Sequence, residues 1–157
     1  MSLPDPTGGA GYGCRAVGWP LHRPKGTTVT APIALSCVTI DSADPRRLAE
    51  FYSALLDWRI MHSEDGYALI TDGKSVLCFG FVEGHTAAPW PDSPLHPKRV
   101  HVDLNVVDID QATDLAVALG ATIPEFQPGL NPDWDNQLPW GIVLDPEGHP
   151  ICLNLRE

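Results

Sequence analysis

Three polar residues alternate along one short segment in the second half of the chain. His101, Asp103 and Asn105 are separated by single apolar residues. Because successive side chains of a β-strand point to opposite faces, this spacing places all three on one face of a predicted strand. An imidazole beside a carboxylate can act as a base, an acid or a hydrogen-bond donor to a ligand. We therefore predict His101 and Asp103 as catalytic candidates and Asn105 as a ligand-binding residue; the alternative is that His101 only hydrogen-bonds a neighbouring strand.

A segment near residue 38 has the same alternation. Cys37, Thr39 and Asp41 share one face of a predicted strand, and Val38 and Ile40 share the other. We predict Cys37 and Thr39 as ligand-binding residues. Asp41 stands at the end of the strand, where we predict that it caps the following turn.

These two segments begin two copies of one module. The interval from Cys37 to Asp44 and the interval from His101 to Asp108 are both seven residues, so strand start and helix start recur at an offset of 64. Each copy is predicted to fold as βαβββ, which gives an α+β fold with two curved mixed sheets. The helices are predicted to cover the apolar strand faces. The polar faces are predicted to line a water-accessible cleft between the sheets, because burying polar groups without partners in a closed core is unfavourable.

The predicted elements set the domain boundaries. Module one covers 33–83, a proline-rich linker covers 84–98 and module two covers 99–157. Together they form one domain over 32–157, preceded by a Gly- and Pro-rich extension over 1–31. Strands are predicted near 35–41, 58–62, 67–71, 75–82, 101–106, 121–126, 141–144 and 150–155, with helices from Asp44 to about Asp57 and from Asp108 or Asp110 to Leu119, and Gly120 at the C′ position.

Composition excludes several classes of function. The net charge is −10, and basic residues occur at most in pairs, so binding to nucleic acid or to an anionic membrane is not expected. No apolar run is long enough to span a membrane, and no secretory signal is present at the start, which predicts a cytoplasmic protein. The four cysteines lack CxxC spacing and are predicted to be free thiols.

Three motifs carry a resemblance to a known family. TIDSADPRRLAEFYSALLDW, HVDLNVVDIDQATDLAVALGA and VLDPEGHPICL resemble the vicinal oxygen chelate superfamily, and within it the glyoxalase-like (glyoxalase/bleomycin-resistance) domains. The resemblance covers residues 33–155 and implies the glyoxalase/bleomycin resistance/dihydroxybiphenyl dioxygenase-like fold. It also implies a homodimer. It does not imply one activity, because the superfamily includes isomerases, extradiol dioxygenases, epimerases, thiol transferases and drug-sequestering proteins.

The resemblance also marks four possible metal-ligand positions. They fall on Cys37, Cys78 (or Gly80 in a register two residues later), His101 and Cys152, and only His101 is of the family's ligand type. One interpretation is that no metal or other cofactor is bound and that the thiols line the cleft as ligand-binding residues. The alternative is a divalent ion, zinc, held by three thiolates and one imidazole in a closed tetrahedral site.

Tryptophans near predicted loops are candidates for the cleft wall. These are Trp90, Trp134 and Trp140, since such walls are mostly apolar, and Trp134 and Trp140 are predicted to bind ligand. The alternative, above all for Trp140, is packing over the sheet edges. The segment 127–139 is predicted to be a lid. His149, in the Asp-Pro-Glu-Gly-His-Pro turn, is predicted to be structural, and His85 in the linker has no partner pattern.

These residues favour two classes of function over a third, a regulatory domain that has lost ligand binding. The first is a glyoxalase-like protein that binds a small organic ligand around His101, with lyase, isomerase or dioxygenase chemistry if it is an enzyme. The second is a drug- or metabolite-sequestering protein of the bleomycin-resistance type, in which no bond is made or broken.

Overall fold

The computed structural model describes residues 35–97, 100–130 and 139–156. The predicted extension 1–31 lies outside these residues, and every helix and strand belongs to the compact unit Ser36–Glu157. The elements in chain order are β1 (Val38–Ser42), α1 (Pro45–Leu56), β2 (Arg59–Ser63), β3 (Tyr67–Thr71), β4 (Val76–Phe81), β5 (Val102–Val106), α2 (Ile109–Ala118), a short 3-10 helix (Pro128–Leu130), β6 (Trp140–Leu144) and β7 (Pro150–Leu155). Neither α1 nor α2, the α-helices of the described residues, has the length and apolar character that a membrane-spanning helix requires.

The strands form two mixed sheets, one from each half of the chain. The first has the order β1-β4-β3-β2 and the second the order β5-β7-β6. In both sheets the opening strand pairs in parallel with the last strand of its half, and the remaining pairs are antiparallel. The predicted α+β class with one mixed sheet per half is therefore confirmed.

One predicted strand is absent. The segment 121–126 makes only an isolated bridge, in which Thr122 and Leu144 exchange backbone hydrogen bonds of 2.8 Å. Pro124 follows two residues later and has no amide hydrogen to continue the ladder. The prediction of a strand over 121–126 was wrong for this reason, and the second sheet has three strands in the described residues.

Helix α1 begins and ends as its sequence predicts. The Asp44 side chain accepts a hydrogen bond from the Arg47 amide at 3.2 Å, and Pro45 occupies the first turn. Asp57 ends the helix in the left-handed conformation with φ 54°, which Asp tolerates better than most residues. The buried stripe of α1 consists of Pro45, Leu48, Ala49, Phe51 and Tyr52.

The sequence left two candidates, Asp108 and Asp110, for the start of helix α2. The Asp108 side chain accepts a hydrogen bond from the Gln111 amide at 2.9 Å, so Asp108 rather than Asp110 is the N-cap.

Helix α1 packs on β2, β3 and β4, and α2 packs on β6 and β7. Buried residues from both halves form one hydrophobic cluster, which includes Phe79 and Leu153 at 0% exposure.

A carboxylate of the second half holds the start of the first helix. Glu147, in the turn between β6 and β7, accepts through Oε1 from the Ser42 hydroxyl at 2.8 Å and the Asp44 amide at 2.9 Å. Its Oε2 accepts from the Ala43 amide at 3.0 Å. A negative charge at a helix N-terminus is favourable, because the first amides of a helix lack partners within the helix. Glu147 therefore joins the two halves.

We predict that Glu147→Ala destabilises the protein by about 1–3 kcal/mol, because three donors lose a charged acceptor. Urea unfolding followed by circular dichroism measures the change. Glu125→Ala is the matched control, since Glu125 is exposed and carries no side-chain hydrogen bond within the described part of the chain. Equal stability of the two variants would contradict the role given to Glu147.

Candidate functional site

A cavity of about 290 Å³ lies where β1, the linker, the start of β5 and the β6–β7 turn meet. Its wall combines apolar residues of the linker with ionisable side chains from the four segments. The lining residues are Thr39, Ile40, Asp41, His85, Ala87, Ala88, Pro89, Trp90, Pro97, Val100, His101, Val102, His149 and Pro150.

Three of the residues predicted from sequence for the ligand site or the cleft wall reach this cavity. Trp90 comes from the linker. Thr39 comes from β1, and His101 directly precedes β5. Cys37 lies beside Thr39, with 3.9 Å between its Sγ and the Thr39 hydroxyl, but it does not line the cavity. Asp103 and Asn105 lie further along β5.

The remaining predicted residues lie elsewhere. Cys78 and Cys152 are buried on β4 and β7, opposite Thr39 and Asp103 in the strand register. Trp140 is half-buried at the start of β6, away from the cavity lining. Trp134 and most of the predicted lid over 127–139 lie outside the described residues.

The structure corrects the prediction that Asp41 caps the turn after β1. Its side chain lines the cavity on the same strand face as Thr39, and within the described residues it makes no hydrogen bond to the turn. The Ser42 hydroxyl and the Glu147 carboxylate accept hydrogen bonds from the Asp44 amide instead. The predicted turn-capping role of Asp41 was wrong, because strand alternation turns its side chain away from the helix start.

His101 pairs with the carboxylate two residues along its own strand. Its Nε2 lies 3.1 Å from Asp103 Oδ2, and Asp103 Oδ1 accepts from Asn154 on β7 at 3.2 Å. Asn105 accepts from Arg156 at 2.8 Å. The side chains of His101 and Asp103 are 32% and 56% exposed, so water screens their attraction. The pair orients the imidazole at the edge of the cavity.

The structure does not bring the four positions implied by the family resemblance together as one ligand set. The ligand atoms of His101, Asp103 and Cys152 lie within 4.8 Å of one another, but those of Cys37 and Cys78 do not belong to this group. The donors of this group come from β5, from the residue before it and from β7, so the predicted zinc set of three thiolates and one imidazole is not formed. One imidazole, one carboxylate and one thiol also do not make the oxygen-rich set that an octahedral metal centre needs.

Sequence reasoning missed a second polar network, which runs from the core to the cavity. The Tyr52 hydroxyl donates to Asp145 Oδ2 at 3.1 Å, and His149 Nδ1 lies 2.9 Å from the same oxygen. Asp145 Oδ1 accepts from the amides of Glu147 and His149 at 2.9 and 3.0 Å. His149 Nε2 then lies 3.0 Å from His85 Nε2 at the cavity wall.

The network changes how two of its groups titrate. Burial lowers the pKa of His149, but the hydrogen bond and charge of Asp145, with the charges of Glu147 and Asp41, outweigh burial and raise it. Burial raises the pKa of Tyr52 well above its ordinary value, and the neighbouring Asp145 carboxylate raises it further. The neutral phenol is therefore the form that the folded protein stabilises.

Two sequence features could have indicated this network. Tyr52 lies on the buried stripe of α1, and a buried tyrosine hydroxyl usually finds a hydrogen-bond partner. Its partner Asp145 is distant in sequence. A second signal was the spacing of His85 and His149, which is 64 residues, the offset at which the two modules repeat, although His85 stands in a linker without periodicity. Only the folded chain brings these residues together.

The comparisons with known proteins agree with this architecture. The family model described as "Glyoxalase-like domain" matches residues 37–154. The chain belongs to the glyoxalase-like domain family. The predicted resemblance is thereby confirmed over nearly the range assigned to it. No curated protein sequence matches the chain.

Solved structures show the same fold at low sequence identity. A glyoxalase/bleomycin resistance protein/dioxygenase family enzyme from Burkholderia phytofirmans PsJN is 18% identical, with a TM-score of 0.56 over 76% of this chain and 96% of that chain. The fosfomycin resistance protein FosX from Mesorhizobium loti is 13% identical, with a TM-score of 0.53 over 81% and 95%. The bleomycin resistance determinant of transposon Tn5 is 18% identical, with a TM-score of 0.51 over 80% and 99%.

We predict that Tyr52 keeps its proton well above pH 10 in the folded protein. The raised pKa favours the neutral phenol, so the stability it contributes is present below the unfolded pKa of about 10 and is lost as the pH rises through the folded value. Alkaline difference spectroscopy of the folded chain, which has three tyrosines, should show one that ionises only at higher pH or on unfolding. In Tyr52→Phe this late step should be missing; its persistence in the variant would refute the assignment.

Proposed function

We propose that the protein binds a small organic molecule in the cavity between β1 and β5. The observation that carries this proposal is the wall itself, in which an apolar linker faces Asp41, His101 and His149 across a cavity of about 290 Å³. Ligand sites are typically apolar with a few convergent polar groups. The volume stands at the lower end of the range for such sites, which favours a small ligand.

The residues of the wall also indicate the charge and the apolar character of the ligand. Trp90 lines the apolar side, and its Nε1 donates to the Phe126 carbonyl at 2.9 Å, which ties the linker to the segment after α2. Asp41 offers an exposed carboxylate on the polar side. A carboxylate accepts from hydroxyl or ammonium groups, and the chain as a whole carries a net charge of −10. We therefore infer a neutral or cationic ligand with an aromatic or other apolar part.

Binding without catalysis is the function that this geometry supports best. Relatives of similar fold are named for fosfomycin and bleomycin resistance, and sequestration of a small molecule needs only a suitable wall. A second candidate is acid–base catalysis on the bound ligand, favoured by the His101–Asp103 pair at 3.1 Å. If catalysis takes place, His101→Ala should abolish turnover and leave affinity within a few-fold. If the ligand is only held, the variant should change affinity alone.

We predict that Thr39→Phe weakens ligand binding at least about tenfold, because the ring would fill the cavity between β1 and the linker. Small aromatic amines and alcohols screened by thermal shift supply the ligand, and isothermal titration calorimetry measures its affinity.

Ser75→Phe is the control for this prediction, since Ser75 is exposed at the start of β4 and outside the cavity lining. Unchanged affinity in Thr39→Phe, or equal losses in both variants, would argue against binding in this cavity. Failure of every compound to bind the unaltered chain would argue against the proposed ligand class.

The chain is also proposed to form a homodimer. Both sheets have open edges, and several large apolar side chains of the first sheet remain 41–52% exposed: Val38, Ile60, Met61 and Phe81. Unpaired edges and exposed apolar residues are features that a second copy can cover. Multi-angle light scattering should give twice the chain mass of 17.0 kDa. A monomer mass at 10 mg/ml or above would count against the dimer.

A further inference from the structure

We propose that His85, His149 and Glu147 hold a divalent transition-metal ion at the wall of the cavity, in a site separate from the positions that metal-using relatives employ. One nitrogen from each histidine and one carboxylate oxygen of Glu147 lie within 4.8 Å of one another. The three residues come from the linker and from the β6–β7 turn, whereas the family positions lie on the strands. The inference does not rest on the proposed organic ligand.

The spacing of the two imidazoles is that of two ligands to one ion. His85 Nε2 and His149 Nε2 are 3.0 Å apart. Two nitrogens each about 2.1 Å from one zinc ion, at an angle between about 90° and 110°, are about 3.0–3.4 Å apart. The ring centroids are 5.1 Å apart and the ring planes make an angle of 17°, so the rings meet nearly end to end, and each must tilt for both Nε2 lone pairs to point at one ion.

Asp145 prepares His149 for this role. Its carboxylate is fully buried and lies 2.9 Å from His149 Nδ1, so the Nδ1 proton is held there and Nε2 is left with its lone pair. A carboxylate behind a metal-binding histidine fixes the tautomer and the ring orientation in this way. Tyr52 in turn donates to Asp145 at 3.1 Å, which fixes the carboxylate.

Glu147 supplies the third donor. Among the described residues its Oε1 already accepts two hydrogen bonds and its Oε2 accepts one, from Ala43 at 3.0 Å, and each carboxylate oxygen has about two acceptor positions. Two imidazoles and a carboxylate are a ligand set that zinc and neighbouring divalent metals accept, with at least one position left open.

The local charge also favours a cation. Asp41, Asp145 and Glu147 all act electrostatically on His149. Within the described residues, no Lys or Arg forms an ion pair with any of these three carboxylates. Both histidines line the cavity together with Asp41, so an open coordination position would face the space between β1 and β5.

Zn²⁺ titration of the metal-free full-length chain by isothermal calorimetry tests the site. The unaltered protein should bind one ion per chain. His85→Ala should weaken binding at least about tenfold, because the loss of an outer-shell partner of a metal ligand already costs about 10–100-fold in affinity and His85 is a direct ligand. His85 lies in the linker, so its replacement leaves the pair of Asp145 and His149 in place. His96→Ala is the matched control in the same linker, because His96 is exposed.

Two further measurements distinguish this site from its rivals. Paramagnetic Co²⁺ should broaden the ring signals of His85 and His149 most strongly, and His85→Ala should abolish the broadening of the His149 signal at the same Co²⁺ concentration. His101→Ala should keep Zn²⁺ affinity, since His101 belongs to the group with Asp103 and Cys152. Loss of binding in His101→Ala with retention in His85→Ala would overturn the proposal, and so would the absence of Zn²⁺ binding in the unaltered chain, which would leave a hydrogen-bonded histidine pair.

Discussion

The arrangement of this domain depends on the hydrogen bonds made by the buried carboxylate of Asp145. Its side chain is fully buried and is met by the Tyr52 hydroxyl, the His149 imidazole and two backbone amides. A buried carboxylate without such donors would be strongly unfavourable. These hydrogen bonds fix the β6–β7 turn against helix α1, so the second half of the chain is positioned on the first by polar contacts as well as by the shared hydrophobic cluster.

Fixing this turn has consequences on two sides. On one side it presents Glu147 to the start of α1, where three donors meet its carboxylate. On the other side it directs His149 to the cavity wall, next to His85. Gly148 allows the tight reversal between these side chains, since it adopts φ +95° and its amide closes the turn on the Asp145 carbonyl at 2.9 Å. One short turn therefore serves both the stability of the fold and the chemistry of the cavity.

The polar groups of the cavity come from segments of two kinds. Thr39, Asp41 and His101 follow from strand alternation, because they stand on the polar faces of the two opening strands. His85 comes from a linker without periodicity, and His149 comes from a turn whose motif indicated only a reversal of the chain. The proposed ligand site uses both kinds, whereas the proposed metal site depends on the second kind alone.

Local sequence patterns alone predicted the α+β class, the repeat at an offset of 64, the capped helices and the faces of the opening strands. These features follow from local periodicity and capping, which depend on neighbouring residues. The same patterns misplaced a strand at 121–126, where Pro124 interrupts the ladder, and assigned Asp41 to the turn. Which residues meet at the cavity depends on tertiary packing, because Tyr52 and Asp145 are 93 residues apart and carry no shared pattern. His85 and His149 are 64 residues apart, which is the offset of the repeat, but nothing local to His85 predicts that the two rings meet. Contacts of that separation are set by how the two sheets and the turn pack.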